Sequence, residues 1–195
     1  MKQIVSNLYT LLKTQGVEHP ENNFKEATLE ERQELIDLIG NKPSQFIDFY
    51  TKFQPFEVPT FWNSDVGLLS IERMVEENSN YAPSVYLSKL GIFTFAVTTG
   101  GNIIAIDINE TKNGDTSVYI FDHEFCYEEY KTNELRINKF CISEEAQDYF
   151  GNEPIEFTYE NVKRSEIKIE DSFIRFMQKL ACDEYDDIES YFPYY

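Results

Sequence analysis

An α+β fold is predicted for this chain, and three observations predict it. Apolar residues recur at helical spacing through the first 53 positions. Between positions 92 and 121 they give way to β-branched and aromatic runs separated by glycine-containing turns. A helical stripe returns at 173–180. Helices, then a meander, then a closing helix describe one domain with a mainly antiparallel central sheet. At 195 residues with 42% hydrophobic content, the chain can bury a core without disulfide or metal staples.

The elements follow in order. Ile4, Leu8, Leu11 and Leu12 mark an amphipathic helix that ends near Gly16. After a polar link, Thr28 and Glu31 form a capping-box pair, each able to satisfy an orphan amide of the other's segment. The helix they open carries Leu35, Ile36, Leu38 and Ile39 and stops at Gly40. Pro43 suits the start of another helix, with Phe46, Phe49, Tyr50 and Phe53 as its stripe and Pro55 and Pro59 beyond its end. Val66–Leu69 fits a short strand, and Ser70 can cap a helix through Ile71, Met74 and Val75.

Ile92–Val97, Ile103–Ile108 and Ser117–Phe121 read as a three-strand meander. The turns are Thr98-Thr99-Gly100-Gly101-Asn102 and Asn113-Gly114, where glycine reaches positive φ without strain. Leu135–Ile142 fits neither period cleanly. Ile155, Phe157 and Tyr159 alternate with Glu156, Thr158 and Glu160, which predicts a strand with one wet face. Phe173, Phe176, Met177 and Leu180, at i, i+3, i+4 and i+7 behind Ser172, form the closing helix. The expected organisation is a single domain over 1–195, with an extra N-terminal helix at 1–16 and an acidic, aromatic tail at 183–195.

Charge narrows the function. With 35 acidic against 17 basic residues the net charge is −18, which disfavours direct binding of nucleic acid or an anionic membrane through a broad surface. It leaves a basic protein as a natural partner. No stretch has the roughly eighteen apolar residues of a membrane span, and Met1–Thr14 lacks the apolar core of a secretory signal. Cys126, Cys141 and Cys182 are odd in number and unclustered, which fits reduced thiols in the cytoplasm.

No catalytic constellation assembles from the sequence. His19 lies in a polar link. In Asp122-His123-Glu124 an extended backbone puts the histidine on the face opposite its neighbours, which scatters any local metal triad. Gly100-Gly101 joins two strands, whereas phosphate-cradling loops run into a helix N-terminus. Asp107 with Glu124 is the carboxylate pair considered for a hydrolase, and it would require both acids to converge in one pocket. No cofactor or metal is expected, and the chain reads as non-enzymatic.

Taken in order, several of these segments resemble the SUKH superfamily, which includes bacterial toxin-immunity proteins and fungal cell-wall regulators. The similar segments are Thr28–Gly40 with Pro43, Phe46 and Phe49; Leu69-Ser70-Ile71-Glu72; and Phe93-Thr94-Phe95-Ala96 with Thr99-Gly100-Gly101-Asn102 and Ile104-Ala105-Ile106-Asp107. Val118-Tyr119 and Asp171-Ser172-Phe173 with Phe176 and Leu180 complete the match, from about Thr28 to Leu180. The chain departs from the pattern at Asn102, where an acidic residue is usual, and at Lys42, where an apolar residue usually precedes the proline. Its 126–168 region is also longer than in a minimal member. The resemblance implies helices packed around an antiparallel sheet. It also implies a binding role, typically neutralisation of a secreted toxin domain that is frequently a nuclease.

Two acidic, tyrosine-bearing segments are the candidate partner surfaces. One is Asp122 and Glu124 with Tyr127, Glu128, Glu129 and Tyr130. The other is the tail, with Asp183, Glu184, Tyr185, Asp186 and Asp187. The leading expectation is an immunity protein for a basic toxin domain, and the alternative is an intracellular scaffold or regulatory adaptor.

Overall fold

The computed structural model describes residues 1–192. Tyr194 and Tyr195, part of the predicted tail, lie outside the described residues. In chain order the elements are α1 (Lys2–Thr14), β1 (Phe24–Lys25), α2 (Leu29–Ile39), α3 (Ser44–Phe53), β2 (Gln54–Pro55), β3 (Val66–Leu68), α4 (Ile71–Asn80) and α5 (Ser84–Leu87). There follow β4 (Ile92–Thr98), β5 (Ile103–Asp107), β6 (Val118–Phe121), β7 (Cys126–Glu128), β8 (Leu135–Ile137), α6 (Glu144–Phe150), β9 (Ile155–Glu156), α7 (Tyr159–Ser165), β10 (Ile167–Glu170) and α8 (Phe173–Ala181).

The caps are those the sequence chemistry dictates. Thr28 and Glu31 form the reciprocal capping box, with the Glu31 amide donating to Thr28 Oγ1 at 3.1 Å and the Thr28 amide to Glu31 Oε2 at 2.7 Å. Ser70 and Ser172 cap α4 and α8 by accepting from the amides three residues on. The central sheet has the order β10-β6-β5-β4-β3, antiparallel throughout, so the three-strand meander forms its middle. A three-stranded sheet (β7-β8-β9) and a two-stranded one (β1-β2) stand beside it.

Every residue of β5 is buried, because both faces of the central sheet are covered. Phe95, Ile104, Ile106, Val118 and Ile120 face a core built with α1, α3 and α8. There Phe173 lies 4.8 Å from Phe46 and 5.5 Å from Phe95, and Phe176 lies 5.7 Å from Phe95 (ring centroids). Ile103, Ala105, Tyr119 and Phe121 face a second core with Phe125, Ile137, Ile142, Ala146, Ile155 and Val162. The 126–168 region is therefore the layer that covers the far face of the sheet.

One expectation is corrected. The alternation at 155–159 forms only the two-residue β9. Thr158 Oγ1 accepts from the Asn161 amide and starts α7 at Tyr159, so capping outweighs alternation there. The ambiguous 135–142 stretch is β8 followed by a single 3-10 turn at Lys139–Cys141.

Candidate protein-binding surface

The β4–β5 turn gathers three separate segments. Thr98 N–H donates to Asn102 O at 2.9 Å and Gly101, at φ 90, closes the turn onto Thr98 O at 3.1 Å. Asp65, from the loop before β3, accepts from the Thr99 amide at 3.1 Å. Asn102 is fully buried, and its Oδ1 accepts from the His123 amide at 3.1 Å while its Nδ2 donates to Glu189 Oε1 at 3.4 Å. Glu189 Oε1 also accepts from the Gly100 amide at 3.0 Å and from the Thr98 hydroxyl. A Cβ on Gly100 would run into that carboxylate, so glycine is what admits it.

Glu189 belongs to the acidic tail, which is docked on the domain. Tyr185, Ile188 and Phe192 are buried in the main core, with the Tyr185 ring 5.4 Å from Phe176. Ile188 N–H donates to Ser64 O at 3.3 Å, and Asn63 Nδ2 to Asp183 Oδ2 at 2.5 Å. Among the predicted surface residues, then, Tyr185 is a core residue, whereas Asp183, Glu184, Asp186 and Asp187 are exposed. Asp122 is nearly buried and accepts from the Glu124 amide at 2.7 Å, while Glu124 is exposed. Among the described residues, no lysine or arginine pairs with Asp65, Glu124, Asp183, Glu184, Asp186, Asp187 or Glu189.

Sequence reasoning passed over Trp62. It is 70% exposed in the loop whose next residues, Asn63 and Ser64, hold the tail, and Tyr191 on the tail is 47% exposed. The available signal was the chain's single tryptophan set in the polar run Asn63-Ser64-Asp65. It presents a large apolar side chain beside carboxylates without cationic partners.

The other predicted surface is built differently. Tyr127 and Glu128 lie on β7, opposite Arg136 and Leu135 of β8, and Tyr130 stands almost fully exposed in the following turn. Arg136 pairs with Glu129 (3.4 Å), with Glu134 and with Glu156 (3.9 Å). Glu128 accepts from the Tyr86 hydroxyl at 3.1 Å. No hydrogen bond or ion pair among the described residues links Tyr127–Tyr130 to the tail. Asp122 and Glu124 instead join the tail's side of the molecule, through His123 and Asn102.

Asp107 and Glu124 do not converge. The register Ile103↔Phe121 puts Glu124 beyond one end of the β5–β6 pair and Asp107 at the other, about 14 Å along the strand. Asp107 is fully buried, where it accepts from the Tyr159 hydroxyl at 2.8 Å and lies 3.4 Å from Lys163 Nζ. Among the described residues no three His, Cys, Asp or Glu side chains are grouped to hold a metal ion. The cysteines are free thiols, and burial pushes Cys126 and Cys141 up to about 12, so both stay protonated. No described helix is long and apolar enough to cross a membrane.

A two-sided antiparallel sheet, capped helices and a closing helix define an α+β domain. The family model described as SMI1 / KNR4 family (SUKH-1) matches residues 26–140, and the chain belongs to that family. The match begins just before α2 and ends beyond β8, so α1, the closing helix and the docked tail lie outside it. Comparison with curated proteins gave no significant match, and neither did comparison with solved structures.

Proposed function

We propose that this chain is an immunity-type binding protein that neutralises a toxin domain by covering a positively charged surface, with a nuclease as the favoured kind of toxin. The observation that carries the reading is the acidic face around the β4–β5 turn. There Asp65, Glu124 and the tail's carboxylates stand, among the described residues, without a lysine or arginine partner, on the face that carries the exposed Trp62. Unpaired surface carboxylates steer a cationic protein into encounter, and an aromatic side chain supplies the apolar anchor that interface energy concentrates in. Family membership and the net charge of −18 support the same reading. The role is one of binding without a catalytic step, and the unpaired thiols fit the cytoplasm.

The test is co-expression with the protein encoded immediately upstream, followed by titration of the purified pair at low and high salt. The expected result is relief of toxicity and a complex whose association slows steeply with ionic strength. Absence of both, with co-purification of housekeeping proteins instead, would favour the scaffold or adaptor reading.

A further inference from the structure

At the end of the β5–β6 pair away from the acidic face, α7 is fastened to the central sheet by a buried charged cluster. Lys163 of α7 points Nζ at Glu166 (2.7 Å), Glu110 (3.1 Å) and Asp107 (3.4 Å), and donates to the Tyr119 hydroxyl at 3.0 Å. The ammonium also sits 4.1 Å above the Tyr119 ring. Tyr119 donates to Glu110 at 2.5 Å and Tyr159 to Asp107 at 2.8 Å. The remaining cation nearby is Lys168 of β10, 5.8 Å from the Tyr119 ring centroid. Three carboxylates thus converge on one close ammonium.

Their surroundings are unequal. Asp107 has both oxygens occupied, Oδ1 by the Asn109 amide at 2.9 Å and Oδ2 by Tyr159. Glu110 is half-exposed and held below the usual carboxylate range; the Tyr119 and Lys163 hydrogen bonds outweigh its partial burial. Glu166 has a side chain only 10% exposed, and its Oε2 is buried without a partner. An anionic oxygen buried without a donor bears the full desolvation cost. Of the three, Glu166 is the group for which ionisation is least supported.

We propose that this cluster is a proton-operated clasp, in which neutral Glu166 holds α7 firmly on the sheet and ionised Glu166 loosens it. Burial first, then the charges of Glu110 and Asp107, push the Glu166 carboxyl up to about 7 against the pull of Lys163. The sign follows. A carboxyl raised in the folded state binds its proton more tightly there than in the unfolded chain. Its contribution to stability is therefore present below the unfolded value, near 4.5, and is lost as pH rises through about 7.

The test compares the full chain with Glu166→Gln, which keeps the shape and removes the proton. Near pH 8 the variant should melt a few degrees higher than the parent, the gap should narrow as pH falls through about 7 toward 4.5, and below about pH 4 the two should coincide. Amide exchange in 159–165 of the parent should quicken between about pH 5 and about pH 8 more than exchange in α8. A second readout needs no variant beyond assignment: the ¹³C resonance of the Glu166 carboxyl should titrate near neutrality. A variant less stable than the parent at pH 8, or a midpoint in the ordinary carboxylate range, would overturn the proposal.

Discussion

The two acidic surfaces look alike in sequence, since each interleaves carboxylates with tyrosine. In space they are opposites. On the β7–β8 face a single guanidinium, only 14% exposed, draws in Glu129, Glu134 and Glu156, and Glu128 is held by Tyr86. Around the β4–β5 turn the fixed carboxylates are held by neutral donors: Asp65 by Thr99, Asp183 by Asn63, and Glu189 by Gly100, Thr98 and Asn102. A neutral donor orients a carboxylate without cancelling its charge. The first face is organised around a cation that offsets part of its charge, whereas the second is organised by neutral donors and keeps its charge. Counting acidic residues along the chain cannot separate these cases, because the difference lies in what the donors are.

The contrast depends on the tail staying docked, so the largest effect is expected from Ile188→Ala. This residue is fully buried in the main core, and its truncation should cost about 2–5 kcal/mol in a urea titration. Loss of protection in 183–192 should accompany it. A stability loss below about 0.5 kcal/mol would mean that the tail does not build this face.

Next comes Asn102→Asp, which replaces the donor to Glu189 by a carboxylate in a fully buried position. It should cost about 1–3 kcal/mol near neutrality. The introduced carboxyl is expected to have a raised folded-state pKa from burial and a like charge, so the loss should shrink as pH falls through that value. The family resemblance makes an acid usual at this turn. Here the tail's Glu189 occupies the position such an acid would repel, and a neutral amide is what both the turn and the tail can share. Gly100→Ala probes the same joint at lower cost. Gly100 does not use a positive φ, so the added methyl acts through the Glu189 carboxylate it meets. About 1 kcal/mol and faster exchange in the tail are expected.

The helices, their caps and the meander were legible because each rests on local chemistry: Thr28 with Glu31, Ser70, Ser172, and the glycine turns. The 126–168 region was hard to read because its strands are two or three residues long and its apolar residues answer to the far face of β5 and β6, which no local period encodes. Both candidate surfaces could be named from composition, but not what holds them. Tyr185 was placed on a surface because its neighbours are acidic, while Phe176, one turn before the end of α8, buries it. Trp62 went unnoticed because no pattern surrounds it, and its setting exists only once Asn63 meets Asp183 across 120 positions.

Arg136→Gln breaks the other side of the comparison. Freeing Glu129, Glu134 and Glu156 should cost about 1 kcal/mol, since the pairs are only partly buried, and added salt should shrink the difference. The variant should leave exchange in the tail unchanged, because no hydrogen bond or ion pair among the described residues joins Tyr127–Tyr130 or Arg136 to the tail.

The smallest effect on stability is expected from charge reversal at exposed positions, where the two faces should differ in binding alone. Glu184→Lys with Asp186→Lys on the tail, and Glu128→Lys on β7, should each stay within about 0.5 kcal/mol of the parent. Under the proposed function, the tail pair should slow association with a basic toxin domain several-fold at low salt, and high salt should erase the difference. Glu128→Lys sits beside a guanidinium network that already offsets part of its neighbours' charge, so it should change the rate less. Equal slowing by both would mean that encounter is governed by the total charge of −18 rather than by where neutral donors leave it uncompensated. A larger effect from β7 would transfer the interface to the face that Arg136 organises.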